Sequence, residues 1–128
     1  MITALIAYLN SDATYSGLVG QRTYPTVLPQ NAMLPAVAFQ MVSRVPAHDR
    51  ETPDTLVQTR WQFSVNARRY SDLLSVVSAL KTAVQAFTSS SPRVDRVFVE
   101  GERDTDQADI DENNYYRRVI DVVVIHEE

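Results

Sequence analysis

Leu56-Val57-Gln58-Thr59-Arg60-Trp61-Gln62-Phe63-Ser64-Val65-Asn66-Ala67 alternates along its length. Successive side chains of a strand point to opposite faces. Val57, Thr59, Trp61, Phe63 and Val65 therefore share one face, and Gln58, Arg60, Gln62, Ser64 and Asn66 the other. One apolar face and one wet face are expected of an antiparallel sheet covered on one side. The rest of the chain must supply that cover, above all for Trp61 and Phe63.

The cover is a helix over about 71–87. Ser71 suits its N-cap and Asp72 suits its positive start. Leu73, Leu74, Val77, Leu80, Val84 and Phe87 form its apolar stripe. A first helix over about 3–9 has Leu5, Ile6 and Leu9 on one face. A short helical turn, Ala13–Val19, follows, with Asp12 as N-cap and Gly20 just past its end. Pro25, Pro29 and Pro35 predict an extended, ordered loop over 21–35.

Three further strands are expected. Over 36–45, Val37, Phe39 and Met41 oppose Ala38, Gln40 and Val42, and Pro46 ends the strand because proline cannot donate to a ladder. Over 94–100, Val97 and Val99 share a face. Over 115–126, Tyr116, Arg118, Ile120, Val122 and Val124 oppose Tyr115, Arg117, Val119, Asp121, Val123 and Ile125. That second face is unusually apolar, so both sides should be covered, in-chain or by a neighbouring subunit. The order α-β-β-α-β-β predicts an α+β fold in one domain spanning 1–128: a four-stranded antiparallel or mixed sheet with helices on one face.

The 128 residues, 45% hydrophobic and 22% charged, have ordinary globular composition. The chain lacks cysteine, which excludes a disulfide framework, a zinc knuckle and a thiol nucleophile. The apolar run from Met1 stops at Asn10 and Asp12, too short for a membrane span and without a basic leader. It reads as a helix, with the chain remaining in the cytoplasm where it is made. Eleven of the twelve basic residues are arginine, a side chain suited to fixed planar contacts. Net charge is −4 and uneven: residues 100–112 hold seven acids and one base, Arg103.

No constellation for chemistry emerges, and the chain is read as a non-enzyme without cofactor. A serine hydrolase needs a strained nucleophile turn and a histidine base, and no Gly-x-Ser-x-Gly occurs. His48 and His126 are expected to be exposed and idle. Gly17, Gly20 and Gly101 are too scattered for a phosphate loop. Asp104, Asp106, Asp109, Asp111 and Glu112 offer carboxylates to a hard cation, but the spacing of an EF-hand fails at Ala108, Asp109 and Tyr115. A solvated acidic hairpin loop is favoured. Strand alternation splits Arg68 from Arg69 and Arg117 from Arg118, so neither pair makes the basic stripe that nucleic acid requires.

Leu18-Val-Gly-x-Arg-x-Tyr-Pro25, Leu28-Pro-Gln-Asn31, Pro35-Ala-Val37, Arg60-x-Gln-Phe-x-Val65 and Tyr116-Arg-Arg-Val-Ile-Asp-Val122 occur in that order. Together they resemble the tail-terminator, or tail-completion, family of long-tailed bacteriophages. The resemblance implies a virion subunit at the head–tail junction, assembled in the host cytoplasm. It implies a homo-oligomer, a hexameric ring, that caps the tail tube protein, meets the head-completion protein and lets DNA pass through its lumen. Another neck or minor tail component, or a calcium- or ligand-binding module, are the alternatives. Candidate interface residues are Arg44, His48, Asp49, Arg50, Glu51 and Asp54 of the polar 46–55 loop, and Tyr115, Arg117, Val119, Val123 and Ile125. The acidic loop is the candidate lumen lining.

Overall fold

The computed structural model describes residues 1–29, 31–46, 56–90, 93–105, 108–110 and 113–127; for 108–110, 113 and 114 it describes the backbone. The elements are α1 (Ile2–Ser11), α2 (Ala13–Val19), β1 (Thr23–Pro25), β2 (Ala36–Pro46), β3 (Leu56–Ala67), α3 (Tyr70–Ala86), β4 (Val94–Asp104), β5 (Ala108–Ile110) and β6 (Asn113–Glu127). The sheet runs β1-β2-β3-β6-β4, with β5 paired to β6. It is mixed: β1 lies parallel to β2, and every other pair is antiparallel.

The central strand β3 occupies the expected residues. Trp61 pairs with Met41 and Val122, and Phe63 with Phe39 and Ile120. Trp61, Phe63, Ile120 and Val122 join Leu73, Val77, Leu80 and Val84 of α3, and Leu5, Leu9, Tyr15 and Val19 of α1 and α2, in one core cluster, with Phe39 packed against it. The helices thus lie on one face, as the alternation of β3 demands. α2 is fixed at both ends. Asp12 accepts a hydrogen bond from the Tyr15 amide at 2.9 Å, and Gly20 follows at φ 60°, where a side chain would be strained. The buried Tyr15 hydroxyl meets Thr23 Oγ1 at 2.7 Å, tying α2 to β1.

Four expectations change. The sheet has β1 and β5 beyond the expected four strands. β1 was hidden because three residues ending in Pro25 carry no visible period; its pairing comes from Val37 N–H to Arg22 carbonyl and Thr26 N–H to Phe39 carbonyl bonds. Residues 101–104 extend β4 instead of opening a loop. Asp104 there sits opposite Arg118, and such a cross-strand charge pair is tolerated, while Glu102 pairs with Lys81 of α3. Arg69, not Ser71, occupies the α3 N-cap position, without a side-chain cap; Tyr70 begins the helix, its hydroxyl held by Asp104 and Arg118. Leu74 is exposed, because it lies ~100° around the helix from Leu73. Val76, Ala79 and Ala83 complete the stripe instead.

Candidate assembly surfaces

β6 has both faces covered along much of its length, and the cover comes from within the chain. Tyr115, Val119 and Val123 are buried, as are Ile120, Val122 and Val124 on the helix side. The cause is position: β6 lies between β3 and β4. Arg117 and Ile125 are partly buried. Of the other candidate interface residues, Arg44 is exposed on β2, while His48, Asp49, Arg50, Glu51 and Asp54 lie outside the described residues. In the acidic run, Asp106, Asp111 and Glu112 also lie outside them, as does the Asp109 side chain.

Asp104 is not a free lumen carboxylate. It accepts hydrogen bonds from Arg118 Nε at 2.6 Å and the Tyr70 hydroxyl at 2.8 Å. These bonds hold its carboxyl below the ordinary aspartate value, Arg118 contributing most. The same carboxylate raises the Tyr70 hydroxyl, and its hydrogen bond raises Arg118. Glu102 links Lys81 of α3 at 2.9 Å to the same network. This is a charged clasp across the end of α3, and it accounts for Asp104 structurally.

His126 is another correction. It is buried and bonded rather than exposed. Trp61 Nε1 donates to Thr59 Oγ1 at 2.9 Å, Thr59 Oγ1 lies 3.1 Å from His126 Nε2, and His126 Nδ1 lies 2.6 Å from the Glu127 carbonyl. The last contact makes Nδ1 the donor, while the Thr59 hydroxyl reaches both Nε2 and, as donor at 3.3 Å, the Val124 carbonyl. Burial holds the His126 pKa below the ordinary histidine value, and the Met1 ammonium and Arg44 act in the same direction.

The exposed apolar surface lies elsewhere. β1 pairs with Val37–Phe39 alone, so from Gln40 onward the outer edge of β2 has no strand neighbour among the described residues. Along this arm Met41, Val42 and Val45 are 51%, 52% and 48% exposed. A bulge between Met41 and Ser43 leaves Val42 without an opposite residue, which shifts the alternation expected for this strand. Bulge and Pro46 both discourage addition of another strand at the edge. What the arm offers is side chains. Sequence reasoning missed these three residues because their alternation looked like that of a covered strand; the signal was Pro46, which marks an edge.

The sheet's open face carries a groove of about 690 Å³, bounded by Thr26–Pro29, Gln40, Gln62, Asn66 and Arg117. Among the described residues no group of three or more His, Asp or Glu could hold a metal ion, and no helix is long and apolar enough to cross a membrane.

A one-layer helix cover and a mixed sheet define a small α+β domain. Over residues 3–127 the chain matches the family described as Tail completion protein gp17. It belongs to that family, and so among the structural virion proteins of tail completion. Among solved structures it is similar to a chain of the "Virion of native gene transfer agent (GTA) particle", with a TM-score of 0.68 and 17% identity, covering 98% of this chain and 93% of that one. That likeness is one of fold. No curated protein matches the chain.

Proposed function

We propose that this protein forms a closed homo-oligomeric ring, a hexamer, that caps the head-proximal end of a tail tube. It ends tube growth and joins tail to head at the head–tail junction of the virion, after assembly in the host cytoplasm, and DNA passes through its lumen. Family membership supports the setting, and the observation that carries the assembly reading is the β2 arm. Met41, on the helix side, and Val45, on the open side, stand about half-exposed with Val42 between them on an arm that has no strand neighbour among the described residues, and a neighbouring subunit that clasped the arm would cover all three. The contact is heterologous, the arm of one subunit against a different surface of the next, the geometry that closes rings. The 48–54 segment, which follows this arm in sequence, is the second part of the proposed contact, with Arg50 as its charged anchor.

The test is a variant with Met41→Glu, Val42→Ser and Val45→Glu. These side chains lie outside the core, so the urea unfolding midpoint should stay near that of the parent. Electron micrographs should show tails of uncontrolled length or tails unjoined to heads. Tails of normal length, joined to heads, would remove the arm from the contact. A stable ring seen at another place on the particle would overturn the capping role.

A further inference from the structure

Arg117 and Arg118 are neighbours in sequence and opposite in surroundings. Arg118 is paired with Asp104 and Glu102. Arg103 is paired with Asp121 at 3.0 Å, Arg60 with Glu100 and Lys81 with Glu102. Arg117 instead has neutral partners. Its Nε donates to Asn66 Oδ1 at 2.9 Å and its Nη2 to the Tyr115 hydroxyl at 2.7 Å. Its guanidinium also lies 5.6 Å from the centre of the Tyr115 ring.

Those partners are built to hold it. Asn66 is 1% exposed, and its amide nitrogen donates to the Ser64 carbonyl at 3.1 Å. That bond fixes which way the amide points, so Oδ1 must face Arg117. Tyr115 is buried. A guanidinium carries five N–H donors, and the two bonds above use two of them. Among the described residues no carboxylate meets the others. A partly buried, pre-oriented cation that meets no counter-charge among the described residues has capacity for an anion, and a carboxylate fits its planar fork.

The surroundings select the anion further. The groove is bounded by the 26–29 segment, Val119, the amides of Gln40 and Gln62, which bond to each other at 2.8 Å, and Arg103, which is paired with Asp121. Among the described residues, Asp121 is occupied by Arg103 and Glu100 by Arg60. A polyphosphate would meet the chain's net charge of −4 with two groove arginines, one of them already paired with Asp121, too little for nucleic acid. A groove with Arg117 held by neutral partners, Arg103 already paired with Asp121, and amides along its side fits an extended peptide.

We infer that the groove on the open sheet face binds an extended segment of a partner protein, seating one Asp or Glu side chain on Arg117. The inference is independent of the ring reading and survives its failure. The probe is a fluorescein-labelled decapeptide of serine and valine with one central glutamate, acetylated and amidated at its ends. Its anisotropy is read against the full chain, beside the same peptide with glutamine. The glutamate peptide should bind about tenfold tighter or more, the worth of a hydrogen bond to a charged group. Arg117→Gln should erase the difference, and Arg117→Lys should keep part of it. Urea unfolding of both variants confirms that they are folded. Equal binding of the two peptides, no binding at millimolar protein, or discrimination persisting in a folded Arg117→Gln would each overturn the inference. So would a twelve-residue oligothymidylate that binds more tightly through Arg117. Sedimentation showing a self-associated species dissolved by Arg117→Gln would reassign the groove to a second copy of the chain and overturn the partner named here.

Discussion

The two faces of the sheet treat polar groups differently. On the face toward the helices, polar side chains close among themselves: Trp61, Thr59 and His126 in the interior, Tyr70, Asp104, Arg118, Glu102 and Lys81 at its margin. On the open face, charges at the edge also pair, but Arg117 faces a groove with neutral partners. A satisfied polar network serves the fold, because an unpaired group there would carry its full desolvation cost. A held but uncompensated one is available to a partner. The difference separates residues of structural use from candidates for recognition, without appeal to residue type.

Core truncation should give the largest effect and test whether the helix-covered face carries the stability. Phe63→Ala and Trp61→Ala should each cost about 3–5 kcal/mol in urea unfolding. Ser64→Ala, one residue along and on the open face, should change stability by less than about 0.5 kcal/mol. Similar costs on both faces would break the comparison.

Next in size is the Tyr15–Thr23 bond. The buried phenol has its pKa pushed up to about 12 by burial, so it remains a neutral hydroxyl at any ordinary pH. Tyr15→Phe should cost about 1–2 kcal/mol by leaving Thr23 Oγ1 without its partner, read as a lower urea midpoint. Thr23→Val combined with Tyr15→Phe should recover part of the loss.

His126 gives a pH-dependent prediction. Its folded pKa lies below the unfolded value of about 6.5. Between the two values the unfolded chain binds more protons, so stability rises with pH there. The contribution is complete above about pH 6.5 and is lost as pH falls through the folded pKa. The urea midpoint should therefore fall on acidification from pH 8 to 5, and His126→Asn should flatten that part of the profile. An unchanged profile would show that the imidazole is hydrated in solution.

The clasp should give the smallest effect. Asp104→Asn should cost about 0.2–1 kcal/mol, less at high salt, because the pair is exposed and screened. Asp104's depressed pKa places any contribution above its unfolded value of about 3.9, lost as pH falls through the folded one. A loss insensitive to 1 M salt would mean that the clasp acts through packing of Tyr70.

Much of the fold was legible because its signals are local and periodic. Leu56–Ala67 shows both faces of its strand, Asp12 and Gly20 bracket α2, and Pro46 marks the end of β2. The apolar second face of 115–126 showed that this strand is covered on both sides. Where the signal is short or its period breaks, sequence reasoning failed. β1 has three residues, the bulge at Val42 resets the phase of β2, and Leu74 lies just off its stripe.

The sequence by itself determined the α+β class, the helix-covered sheet face and, through ordered motifs, the tail-completion family. Those follow from backbone periodicity and residue order, which are properties of the chain. The candidate sites were decided by tertiary structure alone. Strand order placed β6 inside the sheet, and Tyr115, Val119 and Val123 of its second face are buried within the chain. Register put Asp104 beside Arg118 and Asn66 beside Arg117. Whether an arginine is spent or available depends on what lies across the sheet from it, and residues brought together from fifty positions apart leave no mark on the local pattern of either.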